Sequence, residues 1–197
     1  MDQLDASIES QSPILTTGST ELQYSDWFEK SALTQGSIIP TMQMFVEGVD
    51  PAPAASDGAQ EPVFETIDAS VVVLTQACDI PKAAQTTILV AEVLTYPELV
   101  KANSGYGSTR VKDSLAEGTQ QALFLLPPSE VTSGEWSVVD FRSLFVVAKE
   151  RVLAADSTTS LASPYREHLP QAFARFMMRV GLPSTLHEFK TYKLKTS

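Results

Sequence analysis

The chain has 197 residues, of which 43% are hydrophobic and 19% are charged, and this balance fits one globular domain with a sizeable core. Its 24 acidic side chains outnumber 14 lysines and arginines, and the net charge of −10 argues against nucleic-acid binding through bulk electrostatics. A single cysteine excludes an internal disulfide, and no apolar run reaches the roughly 18 to 20 residues of a membrane helix. The acidic start MDQLDASIES lacks the pattern of a signal peptide, so we expect a cytoplasmic protein without a membrane partner.

The N-terminal part of the sequence predicts little regular structure. Residues 1–20 are polar and rich in serine and threonine, so we expect a mobile segment. Residues 25–33, SDWFEKSAL, predict a short helix that Ser25 or Asp26 can cap. The Pro-, Ala- and Gly-rich stretch at 49–62 predicts a loop between strands.

β-Branched and continuously apolar runs predict the strands of the fold. The run Val-Val-Val-Leu at 71–74 is typical of a strand that is buried on both faces. Pro40 in the predicted strand at 36–48 indicates that this strand lies at a sheet edge or contains a bulge there. The predicted elements are strands at 36–48, 63–75, 86–96, 120–128 and 135–154, the last bending near 140–143, a short helix at 97–103 and a polar loop at 104–119 that has room for one helical turn.

Residues 163–183 predict one strong helix. Leu169, Phe173 and Phe176 recur at helical spacing. Pro170 predicts a bend or a late start, because proline lacks the backbone N–H that the helix needs. Strands followed by a single helix indicate an α+β protein built on a small antiparallel barrel or sandwich.

Three runs carry a resemblance to a known family: GSI at 36–38, VVVLT at 71–75 and ILVAEV at 88–93. In order and character, residues 35–95 resemble the SH3-like barrel of the MazF/PemK-type toxins. The resemblance implies a small, mostly antiparallel SH3-like β-barrel at 21–155, after the mobile segment 1–20. The C-terminal helical segment, 156–197, is expected to pack on the barrel.

The resemblance also bears on activity. These toxins cleave RNA with an arginine before the buried strand and a serine or threonine at its end, a position that Thr75 matches. The residues before Val71 read TIDAS, so the arginine has no counterpart and negative charge developing on a phosphate has no obvious partner. We therefore expect this chain to bind a partner rather than to cleave RNA.

The stretch TQACD at 75–79 is a candidate reactive site, with Thr75, Cys78 and Asp79 as candidate catalytic residues. A nucleophilic cysteine needs a nearby base or cation, whereas the adjacent Asp79 disfavours the thiolate. Alternatively, Cys78 packs as a small apolar residue and Asp79 starts a turn before Pro81. One cysteine and two histidines, His168 and His187, without close spacing match no zinc pattern, so we predict no metal and no cofactor.

The C-terminal helix is a candidate partner-binding surface. Arg166, Arg175 and Arg179 are concentrated in an otherwise acidic chain. They bind a carboxylate-rich partner or a phosphate, or else they solvate the outer face of the helix or pair with acidic residues of the barrel. Phe173 and Phe176 belong to a wide apolar arc that is either buried or offered to another protein.

Three functions remain open from the sequence. The first is a non-catalytic adaptor or regulatory subunit of a bacterial assembly, in a stress or phage-defence setting that only the toxin resemblance suggests. The second is a MazF/PemK-like endoribonuclease that uses Thr75 and a displaced arginine, Arg142 or Arg166. The third is a redox regulator based on Cys78.

Overall fold

The computed structural model describes residues 24–48, 64–155 and 159–178. These residues form seven strands and four α-helices. The strands are β1 (Phe28–Lys30), β2 (Ile38–Glu47), β3 (Phe64–Val73), β4 (Thr87–Thr95), β5 (Leu123–Leu126), β6 (Ser137–Ala148) and β7 (Thr159–Leu161). The helices are α1 (Tyr96–Ala102), α2 (Thr109–Ala116), α3 (Lys149–Ala154) and α4 (Tyr165–Met177).

The strands form two antiparallel sheets. The larger sheet has the order β2-β3-β4-β6-β5, and β1 pairs with β7 in the smaller sheet. A bridge between Ser37 and Ser160 connects β7 to the start of β2. The predicted mixed α+β, mostly antiparallel fold is confirmed, whereas the pairings among the described strands form no closed barrel.

The larger sheet is covered on both faces. Val71, Val72 and Val73 are fully buried, as the continuously apolar run predicted. Because successive residues of a strand point to opposite faces, Val72 belongs to one core and its two neighbours belong to another. The first core lies under α4, and the second lies under α3 and the turn that follows β3.

Helix α4 is held on the first face by its apolar side. Leu169 is fully buried, and the rings of Phe173 and Phe176 lie 5.4 and 6.0 Å from the ring of Phe141 on β6. The helix begins at Tyr165 and continues through Pro170, so the late start that the proline predicted is wrong. The predicted end of this helix, at residue 183, lies outside the described residues.

Four segments differ from the sequence-based predictions. Residues 25–33 form a 3-10 turn and then β1, because Phe28 pairs with Leu161. The predicted loop at 104–119 contains a full helix, α2, where at most one helical turn was predicted, and Leu115 of this helix is buried. The predicted strand at 135–154 ends at Ala148 and continues as α3, and β7 was not predicted. The mobile segment 1–20 and the loop 49–62 lie outside the described residues, and the division into domains stays a prediction.

Two local features mark the start of β2 and the start of α1. The ladder between β2 and β3 shifts register between Ile39 and Met42, and β2 is the outer strand in the order of the larger sheet, so Pro40 stands in an irregular part of an edge strand, as predicted. Helix α1 begins with a capping box, in which the carboxylate of Glu98 accepts the backbone N–H of Thr95 at 2.9 Å. The hydrogen bonds from Thr95 hold the pKa of the Glu98 carboxyl below its ordinary value.

Candidate functional site

Helix α4 lies between two depressions on the protein surface. The larger one, which we call the α4 groove, has a volume of about 1170 Å³ and lies between α4 and the segment from Leu115 to β5. The smaller one, the turn depression, has a volume of about 500 Å³ and lies between α4 and the turn after β3. His168 and Arg175 line the α4 groove, whereas Arg166 and Ala174 line the turn depression.

Aromatic side chains from distant parts of the chain line the α4 groove. Tyr24 and Trp136 meet edge to face with their ring centroids 5.4 Å apart, and Trp27 stacks on Tyr165 at 3.6 Å. The chain has two tryptophans, and both of them line this groove. Strand β5 adds the apolar side chains of Leu123, Phe124 and Leu125.

Polar and flexible side chains of α4 form the other wall of the groove. His168, Gln171 and Arg175 are exposed, and Met178 at the end of the helix is 80% exposed. The groove thus combines apolar and aromatic side chains with polar groups along α4. Its volume exceeds the range of about 300–1,000 Å³ that is usual for small-molecule sites.

The predicted turn after the buried strand is present at residues 75–80. The hydroxyl of Thr75 accepts the backbone N–H of Leu89 at 2.8 Å, and the N–H of Asp79 donates to the carbonyl of Gln76 at 2.9 Å. Lys82 donates to the Asp79 carboxylate at 2.5 Å, and this contact raises the pKa of Lys82. Thr75 and Asp79 therefore have structural partners, and their catalytic role stays a prediction.

The thiol of Cys78 is exposed, so the prediction that Cys78 packs as a small apolar residue is wrong. Its Sγ atom lies 3.8 Å from Gln76 Oε1 and 4.0 Å from Asp79 Oδ1. The side chain projects from the turn because the apolar contact of this segment comes from Ile80, which is buried in the second core. A redox role for Cys78 stays a prediction.

Arg142 forms a network on β6 rather than a pair with Thr75. Its Nε and Nη2 atoms donate to the two carboxylate oxygens of Asp140 at 2.8 and 2.6 Å. Its Nη1 atom donates to the hydroxyl of Tyr106 at 2.8 Å. The hydrogen bonds to the buried Asp140 raise the pKa of Arg142 further above its ordinary value.

The structure divides the residues of the predicted partner-binding surface. Arg166 pairs with Glu29 of β1 at 2.8 Å, which is the predicted alternative of a contact with an acidic residue of the β-sheet domain. Phe173 and Phe176 contact Phe141, so these rings hold α4 on the sheet. Arg175 is exposed on the α4 groove. Arg179 lies outside the described residues.

Sequence reasoning missed the aromatic side of the α4 groove. Tyr24 and Trp27 are near each other but far from Trp136 along the chain, and only the pairing of β1 with β7 and of β5 with β6 brings these segments to α4. The available signal was composition. Tryptophan is enriched at interfaces, and the chain has two of them, Trp27 and Trp136.

Neither a candidate metal site nor a candidate membrane-spanning helix is found within residues 24–48, 64–155 and 159–178. No group of three or more His, Cys, Asp or Glu side chains is placed there to hold a metal ion. None of the described helices has the length and apolar character that crossing a membrane requires.

The chain matches no protein-family model, no curated protein and no solved structure. A functional assignment therefore has to come from the geometry of its own residues.

Proposed function

We propose that the chain is a non-catalytic interaction protein, an adaptor or regulatory subunit, that binds another protein through the α4 groove. The observation that carries this proposal is the groove itself. It has about 1170 Å³ of volume, both tryptophans along one side and an exposed methionine and arginine on the other. Tyr, Trp, Met and Arg are the residue types that are enriched at protein interfaces.

The polar groups of the groove indicate which kind of segment it binds. No ion pair among the described residues involves Arg175, so its guanidinium is available to a carboxylate of the partner. The aromatic side offers Trp136, which is 38% exposed, to an apolar side chain. We therefore expect the groove to bind an apolar segment that carries an acidic residue, with the aromatic contact supplying most of the affinity.

The cellular setting and the finer fold belong to the same proposal. A bacterial assembly, in stress response or phage defence, is suggested by the toxin-like strand order at 35–95. An exposed free thiol suits a reducing compartment, which supports the cytoplasm. The bridge between Ser37 and Ser160 links the two sheets and supports an SH3-like, barrel-like arrangement.

A second candidate, the MazF/PemK-like endoribonuclease, is favoured by one observation. Arg166 lines the turn depression together with Ala77, so a cation stands beside the turn that carries Thr75. Against it, the ion pair with Glu29 already compensates the charge of Arg166, and the Thr75 hydroxyl bonds to the backbone. Cleavage of RNA by the purified protein would favour this candidate over the interaction protein.

Reversing one charge in the groove tests the interaction proposal. We expect Arg175→Glu to remove a partner that co-purifies with the wild-type protein, because a glutamate at this exposed position repels the acidic residue of the partner. The loss should be about tenfold or more in recovered partner. The measurement is a quantitative pull-down from the native organism, in which the same partner is followed in wild type and variants.

Arg110→Glu is the matched control. Arg110 is exposed on α2 outside the groove, and its replacement by glutamate changes the charge by the same amount as Arg175→Glu does. The partner should be retained by this variant. Equal recovery with both variants would overturn the assignment of the partner to the α4 groove.

A further inference from the structure

Strands β2 and β3 extend beyond the sheet as a two-stranded ribbon. β3 pairs with β4 only from Ser70 to Val73, whereas its pairing with β2 continues to Phe64, opposite Glu47. The distal residues 43–47 and 64–68 therefore have partners only within the hairpin among the described strands. The α4 groove is built from other elements, so this ribbon is a separate surface.

The two faces of the ribbon differ. Residues that pair across an antiparallel ladder point to the same side. Met44 and Ile67 form one such pair and pack into the second core. The opposite side, which we call the ribbon face, consists of Gln43, Phe45, Glu47, Phe64, Thr66 and Asp68, and all six are exposed.

Two phenylalanines stand out on the ribbon face. Phe45 is 61% exposed and Phe64 is 64% exposed. Phe45 pairs with Thr66, and Phe64 pairs with Glu47, so the two rings are diagonal neighbours on one surface. Large apolar side chains that are exposed as a pair mark an interaction surface more often than single ones do.

The charge of the ribbon face indicates its partner. Glu47 and Asp68 are its own ionisable residues, and neither of them belongs to an ion pair among the described residues. The guanidinium of Arg151 from α3 lies over the ring of Phe45, 5.4 Å from its centroid. Arg151 also donates to the backbone carbonyl of Gln43. One phenylalanine of the pair thus already holds a cation.

We propose that the ribbon face binds a basic segment of a partner protein, with a lysine or arginine placed on the ring of Phe64. Glu47, which is opposite Phe64, and Asp68 provide the carboxylates that pair with the basic segment. The aromatic face attracts the cation in the same way as Phe45 attracts Arg151. Nucleic acids and anionic lipids are disfavoured, because their phosphates would meet these carboxylates.

A defined probe tests this inference on the full chain. The probe is a short fluorescein-labelled basic peptide that alternates lysine or arginine with threonine or valine. The control is an acidic peptide that has glutamate at every basic position. Binding is measured by fluorescence anisotropy at low and high salt. We expect the basic peptide to bind, to weaken as salt rises, and to bind about tenfold more weakly to Phe64→Ser and to Glu47→Lys.

Val146→Ser is the matched control, because Val146 is 69% exposed but lies on β6, away from the ribbon face. It should bind the basic peptide as the wild type does. The inference is overturned when neither peptide binds, when both bind equally, or when Phe64→Ser and Val146→Ser bind alike.

The proposals for the α4 groove and for the ribbon face can be contradicted independently of each other. Arg175→Glu is expected to keep the affinity for the basic peptide, and Phe64→Ser is expected to keep the groove partner, because the two surfaces share no residue. Loss of peptide binding in Arg175→Glu would contradict the assignment to the ribbon face.

Discussion

Replacing Phe141 with alanine is expected to lower the free energy of unfolding by about 3–5 kcal/mol, the largest effect of any single change proposed for this chain. Phe141 is fully buried in the first core, and Phe173 and Phe176 of α4 both contact its ring. The truncation therefore leaves a cavity beneath the helix that lines the α4 groove.

Unfolding in denaturant, followed by circular dichroism and by tryptophan fluorescence, measures this effect. Fluorescence reports on the groove, because Trp27 and Trp136 both line it. Val147→Ala is the control, since Val147 is buried in the second core on the other face of the sheet. Val147→Ala should lower the free energy of unfolding without changing the tryptophan fluorescence of the native state. A loss below about 1 kcal/mol for Phe141→Ala would contradict the packing of α4 described above.

Removing the guanidinium of Arg142 is expected to have the second largest effect. Arg142→Ala leaves the side chain of Asp140, which is only 9% exposed, without its bidentate partner. Breaking a buried pair costs about 3–5 kcal/mol, but the side chain of Arg142 is 48% exposed. Solvent screening reduces the expected loss to about 1–3 kcal/mol.

A double-mutant cycle that combines Arg142→Ala with Asp140→Asn measures the coupling energy of the pair separately from the contribution of each residue. The double variant should be more stable than Arg142→Ala alone, because no buried charge remains unpaired. The pKa of Arg142 is raised in the folded protein, so a rise in pH removes its contribution only above the unfolded pKa of arginine. The free energy of unfolding of the wild type should therefore exceed that of Arg142→Ala across neutral and mildly alkaline pH. Additive effects of the two changes would show that the pair contributes no coupling energy.

The sequence predicted the elements whose own residues determine them. The run at 71–74 is apolar without interruption, and such a run is stable only where both faces of a strand are covered. The stripe of Leu169, Phe173 and Phe176 predicted the α4 helix in the same way, because helical spacing places these side chains on one face.

The remaining elements depend on partners that lie far away in the sequence. Ser25 and Asp26 are good helix caps and predicted a helix, and only the pairing of Phe28 with Leu161 selects β1. The segment at 149–154 continues an apolar strand, and it becomes α3 because Val152 reaches the second core. Local propensity contains neither of these contacts.

The candidate sites show the same limit. The turn at 75–80 was predictable, because aspartate and proline there favour a turn. The exposure of Cys78 was not, since it depends on Ile80 taking the buried position of that turn. The aromatic side of the α4 groove combines residues from three parts of the chain, and a pattern along the sequence cannot show this combination.

The α4 groove and the ribbon face together describe a protein with two docking surfaces of different chemistry. The groove is aromatic with an unpaired arginine among the described residues, and the ribbon face is aromatic and acidic. Such an arrangement suits an adaptor, because each surface selects a partner by charge while its aromatic residues supply the contact area.

Site-specific photo-crosslinking in the native organism tests the central claim most directly. A photoreactive phenylalanine analogue is placed at Trp136 on the groove or at Val146 outside it, and both positions are exposed. The interaction proposal predicts a single discrete adduct with another protein from position 136 and none from position 146. Adducts of equal yield from both positions, or an adduct from position 146 alone, would contradict the assignment of the α4 groove as the binding surface.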